Sequence, residues 1–195
     1  MKRLTLLLTL ILGLTLNAFA QQNWEIDKAH SSVKFGVTHL VISTVEGNFK
    51  DFDAKFSTKS DGTIEKIEAY IKTASVNTDN QQRDTHLKSD DFFAAAKFPD
   101  MVFKSKSIQK TGESSYKITG DLTIKGVTKT VVLDATNNGT IKDPWGNTKT
   151  GWSAVGKINR FDFGLTWSQA LETGGLVVGK EVTITINAEF GTKKP

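Results

Sequence analysis

The chain has 195 residues, 25 Lys and Arg against 21 Asp and Glu, a net charge of +4, and no cysteine. That length suits one domain with a sizeable core, and the lack of cysteine excludes a disulfide framework. The small charge excess, carried on scattered lysines with no basic patch interleaved with aromatics, excludes a nucleic-acid-binding surface, and no phosphate loop or dinucleotide fingerprint exists.

Met1-Lys2-Arg3, an apolar run from Leu4 to Leu16 and Ala18-Phe19-Ala20 make the three parts of a secretory leader. Residues 1–20 are expected to be a signal peptide cleaved after Ala20, leaving one domain over 21–195 that is periplasmic or secreted. The apolar run is too short for a comfortable transmembrane span. The mature chain then carries 23 basic and 21 acidic residues, or +2. It keeps two arginines, Arg83 and Arg160, among many lysines. Arginine's planar fork suits buried or bidentate pairing, so these two positions stand out.

The mature sequence alternates with period two. Trp24 and Ile26 start a strand, Asp27–Ser31 reads as a turn, and Val33, Phe35 and Val37 continue. Val45, Gly47 and Phe49 hand over to Phe52, Ala54 and Phe56 with a one-residue change of phase, so a bulge or sharp bend is expected near Asp51. Asp61-Gly62 is a hairpin signal, followed by Ile67, Ala69 and Ile71. A helix is predicted over about 79–96, with Asp79 as cap, Gln82 completing a capping box, and Leu87, Phe92, Phe93 and Ala96 as its apolar side. Ser89 can cap a second short turn, and Phe98 before Pro99 ends the element. Met101 and Phe103, then Tyr116, Ile118, Gly120, Leu122 and Ile124, resume the alternation. A tight turn at Lys125-Gly126 leads to a strand over Val127–Ala135. Asn137–Gly139 and Asp143–Asn147 read as loops. Trp152, Ala154, Gly156 and Ile158 form the next face, and after Gly174-Gly175 the last strand carries Val182, Ile184, Ile186, Ala188 and Phe190.

About eight strands with short connections and one helical insertion imply an all-β fold: an extended antiparallel barrel with the insertion across one end. A membrane barrel shows the same alternation, but the mid-chain helix and the absence of aromatic girdles argue against one. The small inward residues Gly47, Ala69, Gly120, Ala154, Gly156 and Ala188 leave room for an apolar cavity; alternatively they accommodate rings from opposite strands. The candidate cavity lining is Val33, Phe35, Val37, His39, Phe49, Ile67, Ile71, Leu87, Phe92, Phe93, Phe103, Ile118, Leu122, Trp152, Ile158, Val182, Ile184 and Ile186. Trp145 and Trp167 are core fillers or cavity walls.

His30, His39 and His86 have no His-x-His or His-x3-His spacing, so no metal or other cofactor is expected. Asp27, His30 and Ser31 could be imagined as a nucleophile site, but no Gly-x-Ser-x-Gly elbow exists and neighbouring side chains on an extended chain point apart; no catalytic residue is assigned. Arg83 beside Asp84, Asp90 and Asp91, and Arg160 beside Asp162, are either structural ion pairs or contacts to an anionic headgroup.

Several stretches together resemble the YceI-like family of periplasmic, lipocalin-like proteins. They are Trp24-Glu25-Ile26-Asp27-Lys28-Ala29-His30-Ser31, His39, Gly47-Asn48-Phe49, Arg83–Phe93 with Lys97-Phe98-Pro99, Gly120–Thr128, and Asn159-Arg160-Phe161-Asp162-Phe163-Gly164. The resemblance covers essentially the whole mature chain. It implies an eight-stranded barrel with a helical lid and a long apolar tunnel. The ligand it implies is a polyisoprenoid or another long-chain amphiphilic lipid, such as a fatty-acid derivative, held for storage or transport. Some members look dimeric. The rival readings are an interaction module with a filled barrel, and a small lipid hydrolase or isomerase.

Overall fold

A strand with one apolar face must bury that face, and a sheet of such strands can do so by curling until its edges meet. The computed structural model describes residues 21–170, 174 and 176–192, and shows this closure. The expected leader, residues 1–20, lies outside the described residues. The strands are β1 (Gln22–His39), β2 (Ser43–Phe49), β3 (Phe52–Thr58), β4 (Ile64–Lys72), β5 (Val76–Asn77), β6 (Asp100–Lys110), β7 (Ser115–Ile124), β8 (Val127–Lys142), β9 (Thr148–Asn159) and β10 (Val178–Thr192), with one helix, α1 (Gln81–Lys88).

All strand pairs are antiparallel, and β10 returns to β1, from Trp24↔Thr192 to His39↔Val178. The far half of β1 pairs with β2, and its first residues, Gln22–Glu25, pair with β3. β2 and β3 are therefore one stave bent at Lys50-Asp51, where the apolar phase changes. With β5 a short outer addition to β2, the closed ring is an eight-stave barrel.

Three local expectations are corrected. Asp27–Ser31 is not a chain reversal. β1 runs straight through it, and the residues between Asp27↔Glu189 and Ser32↔Asn187 form a bulge against β10. Asn137–Gly139 likewise stays in β8 as a bulge against β9, because a bulge absorbs turn-forming residues without ending the ladder.

The third correction concerns the helix. It spans only Gln81–Lys88, and its cap is Asn80, whose side chain accepts from the Arg83 N–H at 2.9 Å; Asp79 instead has φ 57°. Ser89 is extended and ends α1, its hydroxyl donating to the His86 carbonyl at 2.8 Å. Phe92 and Phe93 then lie on a run of turns, with Ala94 at φ 47°, rather than on a helical face, and Ala96 is exposed. The run is tied down by Thr73, whose hydroxyl donates to the Phe98 carbonyl at 2.8 Å, and by Lys125, whose ammonium donates to the Asp90 carbonyl at 2.7 Å.

The two ends of the barrel differ. At the end where β1 begins, Trp24 stacks on Phe56 at 5.4 Å, and Phe56 meets Phe190 edge-on at 4.9 Å and Trp152 at 6.2 Å. These rings pack into one buried cluster inside the barrel, and Phe56, Trp152 and Phe190 face the cavity. The opposite end is crossed by α1, the turns after it, and the segment after β9.

Candidate functional site: an apolar cavity with one polar end

Between the two ends lies a cavity of about 680 Å³. Every apolar candidate from the sequence is on its wall: Val33, Phe35, Val37, Phe49, Ile67, Ile71, Leu87, Phe92, Phe93, Phe103, Ile118, Leu122, Trp152, Ile158, Val182, Ile184 and Ile186. His39, Arg83 and Arg160 touch it too. Sequence reading left Met101, Ile124, Val131 and Leu133 out of the lining and offered Trp167 as core filler or cavity wall; all five are on the wall. The first four continue the inward phase of their strands and could have been found by it. Trp167 reaches the cavity from an irregular segment that has no period. Trp145, by contrast, is 78% exposed on the β8–β9 connection.

The volume does not come from the inward glycines. A Cβ built at Gly120 would clash with the Phe103 ring and lie 2.6 Å from the Lys104 carbonyl. One at Gly47 would clash with the Phe35 ring, and one at Gly156 would lie 2.5 Å from Leu133 Cδ2. These glycines make room for neighbouring side chains, whereas Ala69, Ala154 and Ala188 do line the cavity.

Most polar groups on the wall lie at the α1 end, while Lys34, Asp53 and Ser153 touch the cavity from β1, β3 and β9. Thr78, Asn80, Gln82, Arg83 and His86 all touch the cavity, and Asn80 and Gln82 are also exposed, so the cavity reaches solvent beside the start of α1. Arg83 is half-buried and donates from Nε to the Thr78 hydroxyl at 2.8 Å and from Nη2 to the Thr78 carbonyl at 2.9 Å. Asp84 accepts from the Thr78 N–H at 2.8 Å and the Thr78 hydroxyl at 2.6 Å, so one threonine orients both charged side chains. His86 bonds Asp91 at 3.0 Å and packs edge-on to Phe92 and Trp167, each at 5.0 Å.

Arg160 is 4% exposed. Its guanidinium donates to the carbonyls of Gly179, Leu165, Trp167 and Val178 at 2.5–2.9 Å. Burial pushes its pKa down. Among the described residues no carboxylate pairs with either arginine. Asp162 is exposed and accepts from the Asn159 amide at 3.3 Å. Of the two readings offered for the arginines, the ion pairs are thus replaced by carbonyl and hydroxyl acceptors. Arg160 satisfies the irregular backbone that crosses the barrel end, where no ladder is available to do it.

Asp27 and His30 do meet, at 3.1 Å, on the outside of the sealed end. Lys149 donates to Asp27 at 2.8 Å and pairs with Glu189 at 3.0 Å. The lysine first and the histidine second hold the Asp27 carboxyl down at about 2. Asp27, His30 and Glu189 could together reach a cation, but the Lys149 ammonium already serves both carboxylates. Ser31 accepts from the Glu189 N–H at 2.9 Å, and no hydrogen bond joins it to His30 among the described residues.

Among the described residues no helix is long and apolar enough to cross a membrane. Comparison with known proteins fits the barrel. A UPF0312 protein of Staphylococcus aureus strain N315 is 42% identical over 170 residues, which is 86% of this chain and 96% of that protein. The YceI protein of Campylobacter jejuni is 41% identical, with a TM-score of 0.69 over 81% of this chain and 90% of that one. Burkholderia cenocepacia BcnA is 25% identical, with a TM-score of 0.73 over 84% and 98% of the two chains. A polyisoprenoid-binding domain from Saccharophagus degradans, 14% identical, shares the fold with a TM-score of 0.62 over 87% and 98%. Residues 24–190 match the YceI-like domain, and the chain belongs to the YceI-like family.

Proposed function

We propose that the protein is an exported carrier that holds one long-chain amphiphilic lipid, a polyisoprenoid or fatty-acid derivative, with its tail in the barrel and its polar end beside α1. One observation carries this reading: a cavity of about 680 Å³ walled mainly by apolar side chains, with most of its polar groups gathered beside α1, where it reaches solvent. A cavity of that size belongs to the range of small-molecule sites. Each methylene moved from water to such a wall contributes about 0.8 kcal/mol before ordering costs. Arg83 is the headgroup candidate, because its fork lies on the wall and is oriented by Thr78. Arg160 has a structural role, because its donors are committed to backbone carbonyls. The leader-like residues 1–20 support export, and the binding named for the S. degradans domain agrees with the ligand class. The test is native mass spectrometry of protein purified from the periplasm or medium of its own cells. A mass increment that organic extraction removes and identifies as a long-chain lipid is expected. Protein recovered without any such adduct, and unable to take up a prenyl or fatty-acyl lipid afterwards, would refute the reading.

A further inference from the structure

The β1–β2 turn lies at the α1 end of the barrel and breaks two rules at once. Leu40 and Val41 occupy its centre with φ of 52° and 66°, and the Ile42 N–H closes it on the His39 carbonyl at 3.2 Å. Two consecutive positive φ values in a hairpin turn call for Asn-Gly, and positive φ is a genuine outlier for a β-branched valine. The same side chains face water: Leu40 is 37% exposed, Val41 63% and Ile42 85%. From Thr38 to Val45 there is no Asp, Glu, Lys or Arg. A turn that carries backbone strain in order to present three exposed apolar side chains points to an apolar surface that meets it.

We infer that this turn is a membrane hook: Leu40, Val41 and Ile42 enter the interface of a lipid bilayer and set the cavity mouth against it. The inference rests on the lipid-carrier reading, and continuity with the cavity selects the occupant. The turn follows directly on His39, which lines the cavity, and the Leu40 N–H donates to the carbonyl of Val177, another wall residue, at 2.9 Å. A tip of three side chains is far smaller than the roughly 800 Å² per partner of a stable protein interface. It does suit shallow insertion, which needs apolar area and no buried charge.

The experiment uses the mature chain and vesicles of phosphatidylethanolamine and phosphatidylglycerol. It compares wild type, Ile42→Ser, and the double variant Leu40→Asn with Val41→Gly. Ile141→Ser serves as a control, because Ile141 is 66% exposed near the sealed end. Co-flotation of wild type and Ile141→Ser is expected, with both turn variants reduced at least about tenfold. The double variant should melt higher than wild type, because Asn-Gly suits the turn. Binding of a prenyl lipid supplied from dilute detergent should be unchanged in every variant. Wild type that does not float, turn variants that float as well as wild type, or a double variant that melts lower would each overturn the hook. So would a wild-type dimer that the turn variants dissolve, since the occupant would then be a second copy. Uptake from detergent without flotation sinks the hook and leaves the carrier, whereas turn-dependent flotation without uptake sinks the carrier and leaves the hook.

Discussion

One end of this barrel is shut by rings and the other by hydrogen bonds. Trp24, Phe56, Phe190 and Trp152 close the β1-start end mainly through ring-to-ring contacts, with Trp24 Nε1 donating to the Thr58 hydroxyl at 3.4 Å. The α1 end is crossed by irregular chain, whose backbone must find partners one by one: Arg160 takes carbonyls of Leu165, Trp167, Val178 and Gly179, and Thr73 takes that of Phe98. The difference has a functional consequence. A ring plug offers a ligand mostly apolar surface, the buried Trp152 Nε1 being its one unpartnered donor among the described residues. A hydrogen-bonded lid has polar groups to spare for a headgroup and can reach solvent without losing its own packing.

The comparison can be broken at its strongest points first. Arg160→Leu should cost about 4 kcal/mol, because it leaves the buried carbonyls of Leu165, Trp167, Val178 and Gly179 without their donor. A thermal or urea melt of the ligand-free protein reads this directly, and an unchanged melt would remove the hydrogen-bonded half of the contrast. Phe56→Ala should cost about 3 kcal/mol and open the sealed end, so that longer tails are accepted than by wild type. Gly120→Leu should cost about 2 kcal/mol by overpacking against Phe103, with little change in ligand length preference. Cavity-filling without destabilisation there would mean that the ring can move aside.

Smaller effects sharpen the contrast. Outside the sealed end, Asp27 has its carboxyl held down at about 2 by Lys149 and His30. The folded value is the lowered one, so this stabilisation is complete above about pH 4 and is lost as the pH falls through about 2; it amounts to about 1 kcal/mol. Lys149→Met should flatten that part of an acid-stability curve. At the other end, Arg83→Gln should change the melt by less than about 1 kcal/mol and weaken an anionic long-chain lipid about tenfold, while a neutral one of equal length is little affected. Equal losses for both lipids would remove Arg83 from headgroup recognition.

The parts of the structure legible in the sequence are those governed by a period. Inward positions such as Val33, Phe35, Ile118, Leu122 and Ile184 follow from alternation, and all of them line the cavity. Irregular parts were not legible. The Phe92-Phe93 pair looked helical because turns and short helices share the same apolar spacing over a few residues. The arginines looked like ion pairs because neighbouring carboxylates are visible in a sequence and acceptor carbonyls are not. The bulges at Asp27–Ser31 and Asn137–Gly139 use the residue types of turns, and only the ladder on either side distinguishes the two. The Leu40-Val41 turn left no signal at all, since neither residue favours the conformation it holds.

The central claim is that a tail lies in the barrel with its far end against the ring plug. The most direct measurement is the affinity of delipidated protein for a series of prenyl alcohols of increasing length, taken in parallel on wild type and Phe56→Ala. The account predicts that wild-type affinity climbs with each added unit and then levels off, and that Phe56→Ala moves the levelling point to longer chains. Affinity that does not depend on chain length, or a levelling point unmoved in Phe56→Ala, would contradict it.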